Sequence, residues 1–268
     1  MRFDAHLHSF LSPDSELDPG DAIDALRKKG LGCCFTDHVD YVTPRGEGFD
    51  ENAKDAPKAP HDFLLSHPEL YPECFGEYRA DDVALGLEIG LTAAYLELNE
   101  RAAAKEGLDF IIGSVHFVDG LDITNGFFVT EYEDHYRRYL EYAREMVELC
   151  GFFDSLGHIE YISRYTPLPV ADLFYSDYPD EYDSLFRALI DRGKTLELNS
   201  KRLGDKKGAE CMRGVLKRYA ELGGKYVTVG SDAHRVWELG RNFKEAFGMA
   251  DETGLTPVFY KGRKMQKC

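Results

Sequence analysis

The sequence predicts an α/β protein in which about seven parallel strands, alternating with helices, close into a barrel. Three observations carry this reading. Short apolar runs of strand length alternate with segments of helical period. Six of the nine histidines, with Asp37, Glu88 and Asp232, fall at the C-terminal ends of those runs, the rim where such barrels place their chemistry. The length of 268 residues suits an α/β barrel folded as one unit.

The first strand ends in Asp4-Ala5-His6-Leu7-His8. Strand side chains alternate faces, so Asp4, His6 and His8 are expected to point the same way. Asp18 and Pro19 read as the N-cap and first residue of a helix running to about Lys29, closed by Gly30. Leu31 to Thr36 is a buried strand that delivers Asp37-His38. From Val39 to Asp82 no period is evident. That length predicts an active-site flap or excursion at about 39–82, with a helix around Asp62 to Leu65.

Val83 to Ile89 is apolar apart from Glu88. Leu91 to Glu106 has helical period, and Phe110 to Val115 is a strand ending at His116. Phe117 to Phe128 reads as a loop with Asp119-Gly120 and Asn125-Gly126 turns. A long helix follows from Glu131 to Cys150, capped by Thr130, with Tyr132, Tyr136, Tyr139, Ala143, Met146 and Val147 on its apolar stripe. Phe153 to Leu156 leads to Gly157-His158. The remaining units are a helix from Tyr182 to Arg192, a strand from Lys194 to Leu198, a helix from Ala209 to Leu222, and a strand from Tyr226 to Val229 that delivers Asp232-Ala233-His234. A helix from Trp237 to Phe247 and a strand at Pro257 to Tyr260 complete the chain.

A hydrophobic fraction of 43% is ample for a core. The net charge of −16 argues against a nucleic-acid binder, because phosphate backbones are held by clustered Lys and Arg. A small anionic substrate would need local cations from metals or arginines. No secretory signal and no apolar run of about 20 residues is visible, so no membrane partner is expected. The six cysteines are scattered without zinc-ribbon or disulfide spacing, which suggests a cytoplasmic setting.

Imidazoles mixed with carboxylates suit zinc, manganese or iron(II) better than magnesium or calcium. One strand-end histidine is more often structural; six on one rim point to metal. His61, His67 and His135 lie away from strand ends and read as structural. Glu88 in an apolar strand needs a partner, because an unpaired buried carboxylate is costly. No HExxH, GxSxG, Walker or GxGxxG motif supports a zinc peptidase, serine hydrolase, ATPase or dinucleotide enzyme.

The motifs Asp4-Ala5-His6-Leu7-His8-Ser9, Thr36-Asp37-His38, Gly86-Leu87-Glu88, Gly113-Ser114-Val115-His116, Gly157-His158-Ile159 and Gly230-Ser231-Asp232-Ala233-His234 together resemble the polymerase and histidinol phosphatase (PHP) superfamily, within it the histidinol-phosphatase branch. The resemblance implies one PHP phosphoesterase domain over 1–268, a distorted seven-stranded barrel holding two or three divalent ions. It assigns one ion to His6, His8, Glu88 and Asp232, a second to His116 and His158 with Glu88 bridging, and a third to His38 and His234. Asp14 stands where many relatives carry a further histidine and is expected to join the third set. Arg164 resembles a phosphate-facing position, Arg202 does so more loosely with Lys201 as a competitor, and Asn199 and Arg235 lie near the same mouth.

The reaction implied is metal-assisted in-line hydrolysis of a phosphate monoester, with Asp232 or His234 assisting proton transfer to the leaving alkoxide. The substrate implied is L-histidinol phosphate, in histidine biosynthesis. Alternatives are a phosphoesterase acting on nucleotides, oligonucleotides or phosphotyrosine, and a non-catalytic metal-binding module.

Overall fold

The computed structural model describes residues 1–41, 67, 70–168 and 172–268. Most of the expected excursion at 39–82, its helix around Asp62 to Leu65, and His61 lie outside the described residues.

Seven parallel strands form the barrel wall: β1 (Phe3–Leu7), β2 (Gly32–Val39), β3 (Val83–Gly90), β4 (Phe110–Ser114), β7 (Ser155–Leu156), β8 (Thr195–Asn199) and β9 (Tyr226–Gly230). A small antiparallel hairpin, β5 (Phe117–Val118) with β6 (Leu121–Asp122), sits in the loop after β4. The wall joins end to end at its C-terminal rim, where His8 N donates to Ala233 O (2.9 Å) and Asp232 N to His6 O (2.8 Å). At the opposite end β10 (Thr256–Lys261) pairs parallel with β9, and β11 (Lys264–Lys267) folds back against it. This hairpin distorts the barrel and fills its lower interior: Val258 and Tyr260 pack with Phe3, Ala5, Cys34, Ala84, Phe110 and Ile112. Arg263 at its turn reaches across to Asp154 (2.8 Å).

Strand alternation sorts the rest. In β2 and β3 the odd-numbered Cys33, Phe35, Val39, Val83, Leu85, Leu87 and Ile89 join the outer core beneath the helices, which leaves His38 and Glu88 on the inner face at the rim. β1 breaks its own alternation, with a register shift between Asp4 and Leu7. The expectation that Asp4 shares a face with His6 and His8 therefore fails. Asp4 accepts from Ser231 N, Ser231 Oγ and Gly240 N and ties down the loop after β9.

Among the described residues, six helices of eight residues or more cover the wall: α1 (Pro19–Lys28), α2 (Leu96–Ala103), α3 (His135–Leu149), α4 (Pro179–Asp191), α5 (Lys206–Glu221) and α6 (Phe243–Thr253), with a single helical turn at Tyr71–Cys74 before β3. Asp18 caps α1 as expected, accepting from Gly20 N and Asp21 N. α3 starts later than expected because Asp134, not Thr130, is its cap; the Thr130 hydroxyl is spent on Phe127 O, and Tyr132 precedes the helix. α4 begins at Pro179, a residue suited to a first turn, and α5 begins at Lys206, capped by Asp205. The expected helix at Leu91 to Glu106 contracts to a 3-10 turn at Ala93–Tyr95 followed by α2. That at Trp237 to Phe247 divides into a 3-10 turn, Val236–Glu238, and α6. The break falls at Gly240 and Asn242, both with positive φ.

Candidate metal centre

Nine side chains gather at the C-terminal rim. His6 and His8 leave β1, His38 ends β2, Glu88 ends β3, His116 follows β4, His158 follows β7, Asp232 and His234 follow β9, and Asp14 arrives from the loop after β1. Their donor atoms form four overlapping triads within 4.8 Å: His8, His38 and His234; His6, His8 and Asp232; His6, Glu88 and His158; and His38, Glu88 and His116. All the expected ligands gather at this rim, and the sets implied by the resemblance, which shared only Glu88, overlap further, with His6, His8, His38 and Glu88 each shared between two triads. Asp14 closes the outer edge, Oδ2 at 3.0 Å from His234 Nε2 and Oδ1 at 3.7 Å from His38 Nε2.

Three of the imidazoles are oriented by partners behind them. His6 Nδ1 donates to Glu197 Oε1 (2.7 Å), and His116 Nδ1 to Asp40 Oδ1 (3.1 Å). His8 Nδ1 faces Ser12 Oγ (3.1 Å), which donates to Asp37 Oδ1 (2.6 Å). Each contact directs Nε2 toward the cluster, the arrangement metal-binding histidines use. Gly230 makes the Glu197 contact possible, since a Cβ there would collide with His6 Cβ and Glu197 Oε1.

Asp37 accepts from Ser9, Ser12 and Tyr71 and takes no part in the triads. Asp232 sits at φ +52°, an uncommon conformation for a non-glycine residue, fixed by the two rim hydrogen bonds between β1 and the loop after β9.

The donor set fits divalent metal ions. His6 Nε2 lies 3.1 Å from His8 Nε2, and His116 Nε2 lies 3.4 Å from His158 Nε2, so ring nitrogens face one another across a buried space. Among the described residues, buried Glu88 Oε2 receives no hydrogen bond, although His38 Nδ1 and His6 Nε2 stand 3.1 and 3.2 Å from it. A cation between these groups satisfies both observations.

The electrostatics agree. Burial alone lowers an imidazole's pKa, yet the Glu197 and Glu88 carboxylates hold His6 well above its ordinary value, and Asp40 and Glu88 do the same for His116. Burial, reinforced by His38 and His234, pushes His8 well below. Burial raises a carboxyl, but the imidazoles around Glu88, and Arg164 with Lys201 beside Asp232, outweigh it and keep both ionised. Asp14 falls to about 2 against the pull of burial, through His234 and His38.

The cluster opens into a cavity of about 360 Å³. Arg164, Lys201 and Arg235 line it. Arg164 Nη1 donates to Asp232 Oδ2 (2.5 Å) and Nη2 to Glu160 Oε1 (2.6 Å), while Lys201 Nζ lies 3.4 Å from the same Asp232 oxygen. Arg202 does not reach the cavity; its guanidinium is held by Asp172 (2.5 Å), and Lys201 takes its expected place. Asn199 is also displaced from its expected role. It is buried behind Asp232, with Nδ2 donating to Glu197 Oε2 (3.2 Å) and its Oδ1 accepting from Lys201 N. Arg235 reaches Asp14 O, and His135 packs against Phe127 and Phe128 away from the rim.

Sequence reasoning missed Glu197 and Asp40. Glu197 carries the signal that marked Glu88, a lone carboxylate inside an apolar strand. Asp40, in a segment without period, offers no such signal.

The sequence profile of the PHP domain matches residues 4–201. A protein of Clostridium acetobutylicum named "Probable histidinol-phosphatase" is 34% identical over 99% of each chain. The histidinol-phosphatase of Lactococcus lactis is 28% identical over 87% of this chain and 84% of its own. A crystal structure of histidinol phosphate phosphatase from Lactococcus lactis, complexed with zinc, L-histidinol and phosphate, superposes with a TM-score of 0.82 at 26% identity, covering 99% of both chains.

Proposed function

The chain belongs to the PHP domain family, and from that premise we propose that it is a metal-dependent phosphate monoester hydrolase that converts L-histidinol phosphate and water to L-histidinol and phosphate. The observation that carries this reading is the convergence of six imidazoles, Glu88 and Asp232 beside Arg164 and Lys201, in a chain similar from end to end to histidinol-phosphatases. We read residues 1–268 as one catalytic domain and its setting as the cytoplasm, which six free thiols suit.

His6, His8, Asp14, His38, Glu88, His116, His158, Asp232 and His234 hold two or three divalent ions in this reading, zinc being the ion seen in the Lactococcus lactis structure. When bound, such ions neutralise phosphoryl oxygens and make a water acidic enough to act as nucleophile near neutral pH. The protein supplies the rest. Arg164 presents a planar guanidinium, already oriented by Glu160, to two phosphate oxygens. Lys201 adds a point charge from the adjacent strand end. Asp232 positions Arg164 and Lys201 around the phosphate, and Asp14 braces His234 at the outer edge of the ligand set.

The test is phosphate release by zinc-loaded protein from L-histidinol phosphate and a panel of other monoesters. We expect kcat/KM of at least about 10⁴ M⁻¹s⁻¹ for L-histidinol phosphate, within the ordinary enzyme range. Better turnover of a nucleoside monophosphate or phosphotyrosine overturns the assignment.

A further inference from the structure

We propose that Trp237 is a specificity residue, an aromatic wall that receives the cationic, ring-bearing end of the substrate. The inference rests on the phosphatase reading above and extends it to the half of the substrate that the metal ligands cannot recognise.

Phosphate is provided for at the cavity floor, where Arg164 and Lys201 close on one oxygen of Asp232. The leaving alcohol must then lie along the remaining lining, and three aromatic rings stand there: Tyr161, Tyr165 and Trp237. Tyr161 is already engaged, stacked on His158 with centroids 4.8 Å apart and covered by the Arg164 guanidinium at 5.5 Å. Tyr165 packs against Tyr161 at 5.1 Å.

Trp237 is different. It is 77% exposed although it lines the cavity, and among the described residues no ring stacks on it. Isolated exposed apolar residues are common, but a largely exposed indole at the mouth of a polar cavity offers π surface where a ligand passes.

Its mounting is rigid. The 3-10 turn Val236–Glu238 is tied by Glu238, whose Oε2 accepts from His234 N (2.8 Å) and whose Oε1 accepts from Arg241 (3.0 Å). Lys29 Nζ donates to the next carbonyl, Leu239 O, and Leu239 itself is fully buried. The backbone that carries the indole is thereby held at the cavity mouth. The chemistry it suits is flat and cationic: a π face attracts an imidazolium or ammonium, and covering it removes apolar surface from water.

The test compares L-histidinol phosphate with glycerol phosphate, which has neither ring nor ammonium, on zinc-loaded wild type, Trp237→Phe and Trp237→Ala. The ratio of their kcat/KM values falls by about tenfold in Trp237→Ala, chiefly through KM for L-histidinol phosphate, and stays within about threefold in Trp237→Phe. Trp237 is the only tryptophan in the chain, so its emission also changes when L-histidinol is added to the loaded wild type and not when inorganic phosphate is added. A wild type that prefers L-histidinol phosphate but keeps its ratio in Trp237→Ala overturns this assignment alone. A wild type without that preference overturns the substrate reading and this assignment with it.

Discussion

Glu197 and His6 stand 191 positions apart in the chain, yet Glu197 Oε1 accepts the His6 Nδ1 proton at 2.7 Å, at full burial. The same carboxylate accepts the His158 backbone N–H at 2.7 Å through Oε2. One residue of β8 therefore orients two metal-facing histidines from β1 and β7.

Replacing Glu197 with Gln keeps the shape but lets the amide present either a donor or an acceptor to His6. We expect zinc affinity to fall about 10- to 100-fold, the usual cost of losing such an orienting partner, with the fold retained. Titration against a competing chelator measures it; unchanged affinity would remove Glu197 from this role.

Metal loading should release protons. His6, His116 and His234 have pKa values raised above the ordinary 6.5, so the metal-free protein carries imidazolium protons that a cation must displace. The sign for stability follows from the same shifts. A raised folded pKa contributes stability that is fully present below about pH 6.5 and is lost as pH rises through the raised value. Metal-free protein should therefore lose Tm on going from about pH 6 to pH 9, and calorimetry in buffers of different ionisation enthalpy should show about one or more protons released on zinc binding at pH 7. No proton release would contradict the assigned charge states.

Arg164 and Arg202 should separate cleanly. Arg164→Ala should lower kcat/KM by about 10- to 100-fold and weaken inhibition by inorganic phosphate, and Arg164→Lys should recover little of this, because a lysine cannot reproduce the planar fork. Arg202→Ala should leave kcat/KM within about twofold, since its guanidinium serves Asp172, but should cost about 1–3 kcal/mol of stability because the Asp172 carboxylate is buried and loses that partner. Equal kinetic damage from both substitutions would mean that Arg202 leaves Asp172 when substrate binds.

Asp232→Asn removes a ligand charge and the anchor shared by Arg164 and Lys201. Turnover should fall at least about 10³-fold while circular dichroism remains that of the folded protein. Retained activity would place the reacting centre elsewhere.

The rim was legible in the sequence because a barrel strand ends where its apolar run ends, so His38, Glu88, His116 and His158 announce themselves by position. Other features depend on geometry that alternation cannot carry. The shift inside β1 turns Asp4 to the opposite face, and beyond the end of β8 nothing local distinguishes Lys201 from Arg202 as the residue that turns inward. Glu197 was readable by the logic applied to Glu88, since Leu196-Glu197-Leu198 repeats the pattern of Leu87-Glu88-Ile89. The late start of α3 came from a competition between two nearby capping residues, Thr130 and Asp134, which only the packing around Phe127 decides.

Everything proposed for this chain depends on the rim trapping cations, and the most direct measurement is the metal content of purified protein after exhaustive dialysis, by elemental analysis. The account predicts about two or three equivalents of zinc, manganese or iron per chain, retained at neutral pH by buried imidazole and carboxylate ligands. Less than one equivalent, in protein that is folded and has been offered these metals, would contradict it.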